Sequence, residues 1–186
     1  PLLPPAQMCQ TNGRVWDIAF YNNTWYLAGE FTQVRPSGAP VSGTGSLARS
    51  GLAACDRTGA PLDWNPVVTH TTPANFTIQT LAVLTSTNTI YFGGRFTHVN
   101  GLARQNAAAV GAFSGNARDF APALGANTKV NDIVLSADGA AAYLGGWFGA
   151  QAWTTSGAGA RITAFAPVIR KSNNSSAGIV TALALT

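Results

Sequence analysis

The sequence predicts an all-β fold assembled from a repeated unit of four short antiparallel strands, and three observations carry that reading. A strand-like heptapeptide is written three times: Tyr26-Leu27-Ala28-Gly29-Glu30-Phe31-Thr32, Tyr91-Phe92-Gly93-Gly94-Arg95-Phe96-Thr97 and Tyr143-Leu144-Gly145-Gly146-Trp147-Phe148-Gly149. One segment recurring at wide, similar spacing marks a structural unit built several times over. Around it the apolar residues alternate or run in short stretches, with no helical periodicity. Twenty glycines and ten prolines are scattered along the chain rather than clustered, as many short strands joined by turns require.

The composition limits what the chain can do. At 186 residues it fits one domain with a real core. Charged residues make up 10%, against about a quarter in most soluble domains. The apolar runs near Ala107–Val110 and Ala140–Leu144 are far too short for a membrane-spanning helix. The net charge of +4 comes from basic residues spread singly, with Arg170-Lys171 the one adjacent pair. Nucleic-acid binding needs a basic patch interleaved with aromatics, so no such partner is expected. Cys9 and Cys55 are too far apart for a metal-ligand pair and have no neighbouring His. They are either buried thiols or a disulfide; few lysines and a surface rich in Asn, Thr and Ser favour the disulfide and a secreted protein. A chain opening at Pro1 is expected to be processed or partial.

The units follow in order. Residues 1–13, with three prolines, read as an extended lead-in. The first unit, 14–77, opens with the alternating Val15–Phe20, turns at Asn22-Asn23, and returns through the signature. A Gly- and Pro-rich loop over 35–48 precedes a strand from Arg49 to Asp56, and Trp64-Asn65-Pro66 closes the unit. The second unit, 78–128, matches step by step: Ile78–Val83, a turn at Ser86-Thr87-Asn88, the signature, a tight Val99-Asn100-Gly101 turn, Arg104–Val110, and Phe120-Ala121-Pro122. The third, 129–177, begins with Val130–Leu135 and turns at Ala137-Asp138-Gly139. Its second half reads as a loop over Gln151–Ala160 and one strand over Arg161–Pro167, with Arg161 a possible counterpart of Arg49 and Arg104. Residues 178–186 look like the first strand of a fourth unit. Tandem four-stranded units of this size predict the blades of a β-propeller, here three and the start of another.

These residues resemble the delta-60 type of β-propeller repeat of secreted bacterial proteins: Tyr-aliphatic-Gly-Gly-x-Phe-Thr, x-Val-Asn-Gly, Arg, a small-residue strand, a Gly turn, then aromatic-x-Pro. Residues 78–122 match nearly throughout, 15–66 match with Ala28 in place of the first glycine, and 130–167 match in the first half. The resemblance implies an extracellular propeller and brings no catalytic residue set, because the motif is structural. Closed propellers have four to eight blades. The ring is therefore expected to be completed by more of the same polypeptide or by other chains.

Few residues suggest chemistry. Asp17 and Asp132 occupy one slot in the first strands, with Thr80 and Ala182 in the others. They would either hold a cation such as Ca²⁺, the one candidate cofactor, or accept backbone N–H bonds between blades. Arg49 and Arg104 share a position and would either bind carbonyls of the adjacent blade or offer donors to an anionic or sugar ligand. His70 and His98 sit in unrelated places with no nucleophile motif. Among five tryptophans, Trp64 replaces Phe120 and reads as core. Trp147 stands at the variable signature position, and Trp153, in a Gly/Ser-rich stretch, is the leading candidate for an exposed aromatic against glycans, although packing under its loop is the favoured reading of it. The expected function is a non-enzymatic interaction or structural scaffold. The alternatives are a carbohydrate-binding module and a fragment of a propeller enzyme whose catalytic residues lie in other blades.

Overall fold

The computed structural model describes residues 8–40, 45–169 and 178–185. Most of the lead-in, residues 41–44 of the long first loop, and 170–177 lie outside the described residues. The first unit contains β1 (Gln10–Thr11), β2 (Arg14–Tyr21), β3 (Thr24–Glu30), β4 (Gln33–Arg35), β5 (Leu47–Ala48) and β6 (Leu52–Asp56). The second contains β7 (Val68–Thr69), β8 (Thr77–Leu84), β9 (Thr89–Arg95), β10 (His98–Val99), β11 (Leu102–Ala103) and β12 (Ala107–Gly111). The third contains β13 (Val130–Leu135), β14 (Ala141–Gly146) and β15 (Gly149–Thr154).

Each unit centres on the signature strand in a three-stranded antiparallel meander: β2-β3-β6, β8-β9-β12 and β13-β14-β15. The expected fourth strand is reduced to an extended segment that pairs at one residue. Pro61 bridges Cys55, Ala117 bridges Val110, and Arg161 bridges Trp153. The turns follow the sequence signals, with Asn22 and Asn23 at φ 47° and 60° and Asn100 and Gly101 at 49° and 79°.

The meanders stack face to face, the first strand of one against the first strand of the next. Tyr26, Ala28, Ala54 and Trp64 of the first meet Ile78, Leu81, Phe92 and Val110 of the second in one buried cluster. Tyr91, Ala107, Ala109 and Phe120 of the second meet Val130, Ile133, Leu144 and Trp153 of the third in another. Consecutive antiparallel meanders packed in this way are propeller blades.

The two signature glycines have separate causes. Every first strand carries one extra residue opposite the signature, Trp16, Gln79 or Asn131, so its register slips by one in the same place. The bulge drives the carbonyl at its start toward the second glycine. A Cβ on Gly29 would lie 2.0 Å from the Arg14 oxygen, on Gly94 2.1 Å from that of Thr77, and on Gly146 2.1 Å from that of Lys129. No side chain fits there. The first glycine answers to the next blade instead, a Cβ on Gly93 meeting Val130 Cγ1 at 2.4 Å and one on Gly145 meeting Val180 Cγ1 at 2.6 Å. The first blade admits the methyl of Ala28, which is fully buried.

The third blade corrects the sequence reading. Gln151–Thr154 belong to a strand, because the chain reverses directly from β14 to β15, with Gly146 paired to Gly149. Arg161 therefore aligns with Pro61 and Ala117, not with Arg49 and Arg104. Phe165 packs edge-on to Tyr143 at 5.1 Å, as Trp64 does to Tyr26 at 5.2 Å and Phe120 to Tyr91 at 5.0 Å. Phe165-Ala166-Pro167 is thus a third aromatic-x-Pro ending, displaced by one residue.

Two small outer sheets decorate the first two blades at the end where the signature strand finishes, β1-β4-β5 and β7-β10-β11. The first pairs the two ends of the long loop expected to be irregular. A disulfide joins Cys9, beside β1, to Cys55 in β6, with Cα atoms 6.2 Å apart. It ties the lead-in to the first blade.

Candidate functional site

Most of the residues singled out by their repetition hold the blades to themselves and to one another. The Asp17/Thr80/Asp132 slot is a latch between consecutive blades. Asp17 Oδ2 accepts the Leu81 N–H at 2.8 Å, Thr80 Oγ1 accepts that of Ile133 at 3.3 Å, and Asp132 Oδ2 accepts that of Leu183 at 2.6 Å. The Thr80 hydroxyl also donates to Asp132 Oδ1 at 3.2 Å. Each donor lies one residue beyond the slot of the following blade. Asp17 and Asp132 so fill the amide-accepting role weighed against cation binding, and no group of three His, Cys, Asp or Glu able to hold a metal occurs among the described residues. The signature tyrosines form a second latch, the hydroxyls of Tyr26 and Tyr91 donating to the carbonyls of Ala112 and Thr155 at equivalent positions of the next blade.

Arg49 and Arg104 act within their own blades, whereas the sequence suggested carbonyls of the neighbour. Arg49 donates to the carbonyls of Ala48 and Leu62, and Arg104 to those of Ala103 and Arg118. Leu62 and Arg118 lie on the extended fourth segments, so each guanidinium clamps the outer edge of its blade. Of the two readings of Trp153, packing holds and the exposed aromatic does not. The residue lies in β15 at 5% exposure, within the core between the second and third blades, and cannot present a ring to a ligand.

The charged and aromatic groups not taken up by these contacts gather at the end carrying the outer sheets. The variable signature positions of three blades, Glu30, Arg95 and Trp147, line one small pocket of about 200 Å³ together with Lys129. The signature strands end side by side, so a position that differs in every repeat becomes a single locus. Arg95 also lines an adjoining groove of about 680 Å³, whose lining includes His70, Thr72, His98, Gln105 and Asn127 together with Ala121–Leu124. His70 and His98, unrelated in the sequence, are neighbours here because β7 pairs with β10 and sets Thr69 opposite His98. That pairing rests on two-residue strands, which alternation cannot reveal.

The electrostatics of the locus are basic. The Arg95 guanidinium carbon lies 5.7 Å from the centre of the Trp147 ring, an arrangement suited to a cation–π contact. Its Nε is buried with no hydrogen-bond partner among the described residues. Burial pulls the Lys129 ammonium below its usual pKa and the nearby Arg95 charge acts the same way, while the Glu30 carboxylate opposes them. Trp147 keeps 45% of its surface exposed. The His70 Nδ1 accepts the Thr72 N–H at 2.7 Å, and the His98 Nδ1 lies 2.9 Å from Thr97 Oγ1. Among the described residues, neither imidazole is hydrogen-bonded to a Ser or Cys side chain.

A further pocket of about 430 Å³ opens at the other end of the second and third blades, near Arg118, Asp119 and Asp138. Asp138 there accepts from Ser136 Oγ and the Ala140 N–H, interactions that depress its carboxyl pKa and hold its own hairpin.

No family model matches the chain, and no curated protein matches it in sequence. Among solved structures it is similar to the WD40 β-propeller domain of Doa1, at 12% identity and a TM-score of 0.46. The match covers 81% of this chain and 41% of that one.

Proposed function

We propose that the chain is part of a non-enzymatic extracellular β-propeller that works as a protein-interaction scaffold, its ring completed by further blades. The open face of the first blade carries this reading. Ile18, Leu81 and Ile133 are equivalent, yet Ile18 is 46% exposed while Leu81 and Ile133 are 6% and 4% exposed beneath the preceding blade. Trp16 and Phe20 beside it are exposed at 45% and 47%. The Ile18 N–H folds back onto its own Asp17 Oδ1 at 2.8 Å, whereas its counterparts at Leu81, Ile133 and Leu183 are taken by the blade before. An apolar row whose amide is met only from its own blade fits a blade seat without a blade, and such a patch marks an interaction surface. The disulfide fits an oxidising, extracellular setting.

Native mass spectrometry of the purified chain tests this. A mass above 19.2 kDa that Ile18→Asp returns to the monomer is expected. A soluble monomer that neither self-associates nor binds a hydrophobic dye at micromolar concentration would refute it.

A further inference from the structure

The locus at Arg95 points to a ligand of its own, independent of how the ring is completed. Its two adjoining cavities share Arg95, and the larger, at about 680 Å³, falls in the size range of small-ligand sites. Arg49 and Arg104 are spent on backbone carbonyls. The Arg95 Nε is buried with no hydrogen-bond partner among the described residues, and Arg95 and Lys129 line one pocket together with Glu30, within each other's field. Two cations against the single Glu30 carboxylate leave the pocket with one uncompensated positive charge, which favours a further anion. The fork of a guanidinium matches a planar carboxylate.

The rest of the lining selects the kind of anion. The groove is lined both by hydroxyl, imidazole and amide side chains and by the apolar run Ala121–Leu124. A pyranose ring offers the same two kinds of surface, with hydroxyls around its rim and C–H groups on its face. Trp147 adds a half-exposed aromatic at the mouth of the smaller pocket. We propose that this locus binds a carboxylate-bearing glycan, with Arg95 and Lys129 taking the carboxylate and Trp147 packing on the sugar ring. Glu30 accepts a hydroxyl of the same sugar.

Isothermal titration of the full chain with trigalacturonate, galactotriose and a triglutamate peptide tests the proposal. Trigalacturonate should bind, with galactotriose at least about tenfold weaker, as expected for the loss of a charge-assisted contact. Arg95→Gln and Lys129→Gln should each weaken the uronate by a similar factor. Trp147→Ala should weaken the uronate and Trp147→Phe should restore it, with the thermal midpoint unchanged in each. Absence of binding at millimolar trigalacturonate overturns the site. Equal binding of the neutral trimer overturns the role of the cations, and equal binding of triglutamate, indifferent to Trp147→Ala, overturns the glycan. None of these outcomes depends on the oligomeric state measured by mass spectrometry, so the two readings fail separately.

Discussion

Replacing Gly94 with alanine isolates the bulge-and-glycine device that every blade repeats. The new methyl would meet the Thr77 oxygen at 2.1 Å and the Ile78 Cα at 2.8 Å, both backbone atoms that no rotamer can move aside. Close carbon–oxygen contacts settle near 3.3 Å, so the start of β8 would retreat by about 1 Å. That movement strains the packed strand by about 1–3 kcal/mol. It also weakens about two ladder hydrogen bonds where Thr77 and Ile78 pair with Arg95 and Gly94, each contributing about 1 kcal/mol. The expected loss is therefore about 3–5 kcal/mol, or roughly 10 °C in Tm for a domain of this size. Gly101→Ala is the control: it has φ +79° but nothing within 4 Å of its Cβ, so it should cost about 1–2 kcal/mol from backbone conformation alone. Differential scanning calorimetry of the two variants gives the comparison. If Gly94→Ala unfolds no earlier than Gly101→Ala, the close carbonyl does not explain the glycine.

Further tests address the latches and the arm. Asp132→Ala removes the acceptor of the Leu183 N–H; amide exchange at Leu183 should accelerate about 10–100-fold, as for loss of a charge-assisted bond, while core amides in β9 keep their protection. Reducing the Cys9–Cys55 disulfide opens a span of 46 residues, which chain entropy values at about 4 kcal/mol; urea melts with and without reductant should differ by that order. Asp56 is held below the usual carboxyl pKa, chiefly by the Thr58 hydroxyl and also by the amides of Ala60, Thr58 and Gly59, with desolvation opposing. A depressed folded value means that its stabilisation is complete above the unfolded pKa near 4 and disappears as pH falls through the lower folded one. Asp56→Asn should lower the neutral plateau of a stability–pH curve and flatten its acid limb below about pH 4, so that the two curves converge at low pH.

The blades were legible because their causes are local and repeat. Asn22-Asn23, Asn100-Gly101 and the signature glycines each answer a nearby steric demand, and three copies expose the pattern. The third blade was misread because β14 reverses into β15 without the outer hairpin, so counting along the chain from Trp147 lost the register that pairing across the sheet restores. Trp153 was taken for a loop residue for that reason. The slot shared by Asp17, Thr80 and Asp132 was found, but its donors lie 51 to 64 residues away and only the stacking of blades brings them within reach. The binding locus was half visible. Its variable position was marked by Glu30, Arg95 and Trp147, while the approach of His70 and His98 depends on strand pairs too short to leave a periodic trace, and Lys129, just before β13, reaches the locus only through the stacking of blades.

The latch from each slot to the next blade ends on a backbone amide, a group that every residue except proline supplies. A blade therefore recognises its successor without reading the successor's side chain at that point. Such an interface survives when a unit is copied, deleted or exchanged, because the newcomer brings the required donor whatever its sequence. Blade number can then drift in a lineage while the joints stay sound, and the positions free to diversify are those at the strand ends, where Glu30, Arg95 and Trp147 already differ.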